Sequence, residues 1–254
     1  MNVPEYRLGS WKEFKDYIYD HIFTAYGASR GEYVFRGQSN ATWSLTSSLD
    51  RKYSGNPDWE DIEKALVLEF GHRCENVPEL ERLMADEDRS LAFAQHHGLP
   101  TRLLDWTESP YVAAYFAFSG ALERLSRELM NETEQVAIWI AFMGSTIWQM
   151  PTPPEHSEGV HFFKIPSWQN ARMHNQSGVF SINNSRYKSI DDYVRSVDES
   201  DIPLAKVTVP ASEVVLAIQD LDLMEISADK LFGSIDGKAQ AAETRVLLEL
   251  LKRR

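Results

Sequence analysis

Arg36 is the first residue whose type and setting point to chemistry. It follows the β-prone run Glu32-Tyr33-Val34-Phe35 and precedes Gly37 and Gln38. That order places a planar five-donor guanidinium at a strand terminus, beside backbone that a ligand can approach closely. Such a fork suits a phosphate or a carboxylate. Closure of an internal salt bridge with one of the 38 acidic residues suits it equally, and both readings stay open. The stretch from Ala92 to Phe118, AFAQHHGLPTRLLDWTESPYVAAYFAF, holds a second group. His96 and His97 are neighbours on an expected helix, face different ways and make a poor chelating pair, so no metal is expected there. Arg102 and Asp105 stand three apart on an expected strand and therefore on opposite faces, with Asp105 reading as an orienting or capping carboxylate. Thr107 and Ser109 sit at a strand-to-helix junction, where N–H donors gather; ligand contact and simple N-capping both fit. A third group, Arg172, His174 and Gln176, fits ligand contact or a surface turn.

Several signatures are missing. No P-loop, HExxH, GxSxG or glycine-rich dinucleotide fingerprint follows any expected strand, which disfavours nucleoside-triphosphate and zinc-protease chemistry. Hydrolysis of RNA or DNA by His96, His97, Arg102 and Asp105 is a weaker alternative, and it would show divalent-metal dependence.

The elements that must position these residues are legible from spacing. Trp11, Phe14, Tyr17, Ile18, Ile22 and Phe23 recur at helical intervals after Ser10, an N-cap whose capping-box partner is Glu13. A second helix is expected over 58–74, short helices over 79–84 and 90–97, and a stop at Gly98 and Pro100. Leu103, Leu104 and Trp106 form a buried strand; Ser109 caps a helix that opens on Pro110 and is apolar nearly all round. It continues, or restarts, into residues 123–132, a solvated helix face. Gln135 to Phe142, QVAIWIAF, is the strongest strand signal, and strands are also expected over 160–165, before Ile182, over 206–209 and over 214–218. Residues 40–49 and the proline-rich 151–158 read as loops. Residues 190–197 and 238–250 read as helices, the latter with Val246, Leu247 and Leu250 as its apolar stripe. Helices early, short strands late and no βαβ alternation indicate an α+β fold: a single domain with a small mixed central sheet flanked by helices.

Composition narrows the rest. The hydrophobic share of 43% with seven Trp supports a packed core in one domain over 1–254, while a net charge of −12 counts against generic DNA binding. A single cysteine, Cys74, excludes an internal disulfide and fits a reducing cytosol. No leader-like or membrane-spanning apolar run is read, so the expected location is cytoplasmic, with no membrane partner.

Taken together, Tyr33 to Gln38, the string Gln95 to Thr107 (QHHGLPTRLLDWT), Ala113 to Ala117 and Arg172 through Phe180 resemble the FRG domain family, named for the motif present as Phe35-Arg36-Gly37. The motif-bearing core spans about residues 30–185, with a helical N-terminal segment at 10–23 and a supporting C-terminal segment at 186–254. The family is widespread in bacteria and phage. A second resemblance, to the ADP-ribosyltransferase superfamily, rests on the aromatic-Arg-Gly, on Asp105 to Ser109 leading into Ala113 to Ala117, and on the late strand. It implies a transferase-like fold with NAD as substrate and an activity suited to a toxin or phage-defence effector. The acceptor would be a protein or RNA. Arg36 would hold the pyrophosphate, Gly37 the nicotinamide amide through its backbone, Thr107 and Ser109 the ribose or phosphate, and Gln176 a ribose hydroxyl, with Gln38 a further cofactor contact; His96, His97, Arg102, Asp105 and Arg172 are further pocket candidates. That superfamily has a glutamate where Gln176 stands. Glutamine positions but brings no charge to an oxocarbenium-like centre, so either another carboxylate such as Glu108 or Glu243 substitutes or the domain recognises a nucleotide or partner without turnover.

Overall fold

The structure, a computed structural model, describes residues 3–24, 29, 31–53, 59–74, 87–127, 131, 133–148, 159–165, 178–197 and 202–253. Expectations for 79–84, 151–158, Arg172, His174 and Gln176 fall outside them. In chain order the elements are β1 (Glu5–Arg7), α1 (Trp11–Ile18), β2 (Tyr33–Gln38), α2 (Ser48–Tyr53), α3 (Trp59–Arg73), α4 (Glu87–His96), β3 (Leu103–Thr107), α5 (Pro110–Ser126) and β4 (Gln135–Phe142). They continue with β5 (Val160–Phe163), β6 (Gly178–Asn183), α6 (Ile190–Ser196), β7 (Leu204–Pro210), α7 (Val214–Leu223), α8 (Ala228–Phe232) and α9 (Ile235–Leu251). The fold is mixed α+β on one seven-stranded sheet in the order β1-β7-β4-β2-β3-β6-β5. Among the described strands only the β1–β7 pair is parallel.

Local chemistry accounts for the element starts. The Ser10 hydroxyl accepts from the Glu13 N–H at 3.2 Å, while the Glu13 carboxylate reaches back to the N–H of Gly9 at 2.7 Å, one residue earlier than a standard capping box would place it. At Ile18 the helix gives way to a π-helical turn over Tyr19–Thr24. Ser109 accepts from the Val112 N–H at 3.3 Å, and Pro110 opens α5 without losing a needed donor. Gly98, at φ +87°, ends α4 in a left-handed turn that a side chain would resist, and the Leu99 N–H bonds back to the Ala94 carbonyl at 3.0 Å.

Two cores sandwich the sheet. On one face α1, α5, α7, α8 and α9 pack over Phe35, Ile138 and Val207; on the other, Val34, Trp139, Trp106 and Leu204 meet Leu45, Trp148 and Ile190. A third cluster joins Leu91 and Ala92 of α4 to Leu103, Phe180 and Ile182. Helix α5 is the centre of the fold, burying Phe118 and Leu122, each worth roughly 1.5–3 kcal/mol of transfer free energy.

Three expectations are corrected. Residues 214–218, read as a strand, begin helix α7, because Val214, Ala217, Ile218 and Leu221 at helical spacing bury against the α5 core and override the β preference of Val-Val. Arg36 is internal to β2 rather than at its end, since pairing with β4 carries the strand through Gln38. On α9, Leu247 of the expected stripe packs against the core, but Val246 and Leu250 are exposed and Leu248 is buried: docking against α8 and α5 rotates the inward stripe.

A cationic cleft where two strands part

Strands β2 and β3 are in register at Phe35 and Thr107. Beyond that point the Arg36 guanidinium crosses the opening, and its Nη1 donates to the Asp105 backbone carbonyl at 2.5 Å. Its Nε is enclosed and has no hydrogen-bond partner. Burial pulls the Arg36 guanidinium below its ordinary value; nearby Asp105 offsets part of this, and the neighbouring Arg51 cation adds to it. The side chain stays charged. A desolvated cation that has one carboxylate nearby, shares its cleft with two further cations and has a donor with no partner still has positive charge to offer an anion.

That anion has room. A cleft of about 390 Å³ opens at this place, walled by Arg36, by Ser48, Arg51 and Lys52 of α2, by Gln95 and the Gly98-Leu99-Pro100 turn, and by Leu103, Leu104 and Asp105 of β3. Helix α2 is fixed by its hydroxyls. Ser47 accepts from the Asp50 N–H at 3.1 Å, and Ser48 clasps Thr101 in both directions, donating to its carbonyl at 3.2 Å and accepting from its N–H at 3.1 Å. This presents Arg51 and Lys52, in its last turn, to the cleft; Arg51 also donates to the Thr46 carbonyl. Asp105, also lining the cleft, is exposed, and its carboxylate accepts from Gln95 Nε2 at 2.9 Å.

The other candidate residues are placed differently. Gly37 lies under α5: a Cβ there would stand 1.9 Å from the Ala113 carbonyl oxygen, so its lack of a side chain admits the helix. Gln38 is buried, accepting from Trp139 Nε1 at 2.7 Å and donating to the Ser44 carbonyl at 3.2 Å. The Thr107 hydroxyl accepts from the Ser109 N–H at 3.1 Å, and both residues serve the start of α5. Arg102 stands just before β3 and forms an ion pair with Glu63 of α3, also reaching Asn184 at 3.2 Å. His96 and His97 are exposed at the end of α4, with His97 against Phe93 at 4.5 Å between ring centroids. Of the carboxylates that could replace a glutamate, Glu108 pairs with Lys164, and Glu243 is exposed on α9. Among the described residues no group of three or more His, Cys, Asp or Glu gathers as a metal site, and no helix is long and apolar enough to cross a membrane.

The structure thus unites Arg36 and Asp105 and adds Arg51, Lys52 and Gln95, which sequence reasoning did not single out. The adjacent basic pair at the end of a short polar segment was the available signal. A larger cleft, about 590 Å³, lies among α5, α7, α8 and α9. There burial pushes the Tyr115 phenol up to about 12, and the rim mixes Asp222, Asp229 and Glu249 with Arg245 and Lys252. Its three carboxylates outnumber its two cations, so the smaller cleft, with three cations and one carboxylate, is the stronger anion site.

Comparison with known proteins points to the same region. Residues 31–125 match the FRG domain, so the chain carries an FRG domain. The match spans β2 through nearly all of α5 and therefore includes every residue that walls the cationic cleft. No curated protein and no solved structure matches the chain.

Proposed function

We propose that this FRG domain binds a phosphate-bearing nucleotide in the cleft between β2 and β3, with NAD as the first ligand to test. The observation that carries the reading is Arg36: a charged side chain with an enclosed, unpartnered Nε, facing a cleft it shares with Arg51 and Lys52. An anion there gains charge-assisted hydrogen bonds from the fork and relieves the repulsion between the cations. Arg36 takes a pyrophosphate oxygen, and Arg51 and Lys52 supply the remaining positive field.

If the bound NAD reacts, the bond between ribose C1′ and the nicotinamide nitrogen breaks, nicotinamide leaves with the electron pair, and water or an acceptor nucleophile on protein or RNA bonds to C1′ as it loses its proton. Asp105 is the carboxylate in the cleft that can face the positive charge building on the ribose. Such an activity suits a toxin or phage-defence effector. A second reading, recognition without turnover, is favoured by one specific observation. Among the described residues Asp105 is the only carboxylate walling the cleft, and Gln95 already holds it.

The test is NAD binding and nicotinamide release by the wild type and Arg36→Gln. Arginine-dependent binding with release supports transfer or hydrolysis. Arginine-dependent binding without release leaves recognition. No binding to either protein removes the nucleotide reading.

A further inference from the structure

The negative pole of the cleft is built as deliberately as the positive one. Thr101, fully buried, donates its hydroxyl to Gln95 Oε1 and accepts from the Leu103 N–H at 3.3 Å. With its oxygen so engaged, the Gln95 amide points its nitrogen at Asp105 Oδ2, 2.9 Å away. A flipped amide would set its carbonyl oxygen against a carboxylate oxygen, so the Thr101 contact fixes the orientation. The carboxylate is therefore held by Gln95 in a cleft that it shares with Arg36, Arg51 and Lys52, and Arg36 also donates to its backbone carbonyl.

We propose that Gln95, locked by Thr101, is a positioning residue that aims Asp105 at a fixed positive charge on the ligand. The cleft then selects a ligand that carries a phosphate and a cationic base close together. The oxidised nicotinamide mononucleotide end of NAD belongs to this class. The proposal rests on the nucleotide reading above and refines it. The cleft's 390 Å³ lies near the small end of ligand sites, about 300–1,000 Å³, and suits one half of a dinucleotide rather than the whole. Asp105 is exposed at the residue level, so its attraction for the cation is screened. The expected preference for oxidised over reduced nicotinamide nucleotide is about two- to fivefold, the range of a partly solvated ion pair.

The experiment titrates NAD and NADH into the full chain as wild type, Asp105→Asn, Gln95→Leu, Thr101→Val and Arg36→Gln, with a thermal melt of each variant. The wild type is expected to favour NAD; Asp105→Asn binds both forms alike; Gln95→Leu and Thr101→Val lose part of the preference. Arg36→Gln weakens both forms together. If Gln95→Leu melts early, Thr101→Val and Asp105→Asn still report the ratio. Equal affinity of the wild type for both forms, or a preference that survives Asp105→Asn, overturns the aiming of Asp105 while Arg36-dependent binding keeps the nucleotide reading. Absence of binding to either form overturns both.

Discussion

Arg36 and Arg102 are embedded in the two most distinctive motifs of the chain, yet they have opposite electrostatic fates. Arg102 is satisfied: its backbone N–H donates to Glu63 Oε1 at 2.8 Å, its Nε to Glu63 Oε2, and its Nη1 to Asn184. Glu63 is buried, and the pair ties α3 to the start of β3. Arg36 meets one carbonyl oxygen and lies near both the Asp105 carboxylate and a second arginine, with no carboxylate among the described residues hydrogen-bonded to its fork. An arginine that closes its own charge internally is structural; one buried beside a cleft that holds two further cations, without a carboxylate bound to its fork, carries a desolvation cost that an anion in the cleft can offset.

The sharpest break in that contrast is on the structural side. Glu63→Ala leaves Arg102 without its carboxylate and should cost about 3–5 kcal/mol in urea unfolding. A cost under about 1 kcal/mol would erase the distinction between the two arginines. Next comes Gly37→Ala, in which a Cβ 1.9 Å from the Ala113 oxygen must force α5 off the sheet. The expected loss is about 2–3 kcal/mol, with little effect from Gly98→Ala on α5 packing. Arg36→Gln should leave stability within about 1 kcal/mol of wild type and weaken nucleotide binding by about 1.5–3 kcal/mol, read by calorimetry. A large stability loss with unchanged binding would make Arg36 a second Arg102.

The smallest effect concerns a partly exposed pair. Asp220 accepts from Lys15 at 2.6 Å and from Trp11 Nε1 at 2.7 Å, joining α7 to α1, and these two hydrogen bonds hold its carboxyl below the ordinary range. A depressed carboxylate stabilises fully above its unfolded value, about 3.9. That contribution fades as pH falls through the lower folded value. Asp220→Asn should therefore cost about 0.5 kcal/mol at neutral pH, after screening, and flatten the stability profile below about pH 4. An unchanged acid profile would remove Asp220 as its source.

Much of the secondary structure was legible locally. QVAIWIAF is β4 end to end, Ser109-Pro110 opens α5, and Gly98 closes α4 at positive φ, because periodicity, caps and turns act within a few residues. Strand β1 and helix α2 went unread. Glu5–Arg7 is a strand only because β7 lies beside it, and Ser48–Tyr53 is a helix held by Thr101, 53 residues away from Ser48. At the site, Arg36 and Asp105 were visible by type. Thr107 and Ser109 show how a hydroxyl at a helix start is drawn to backbone N–H groups.

The sequence by itself determined which segments coil, which extend and which polar residues had to be accounted for. Tertiary structure decided which of those residues remain available. Whether an arginine meets a buried glutamate or faces a cleft depends on partners such as Glu63 and Arg51, which lie 39 and 15 residues from the arginines they affect, and no local rule of spacing fixes them. Burial and charge neutralisation are properties of the assembled surroundings, so the same side chain becomes a brace in one place and a ligand contact in another.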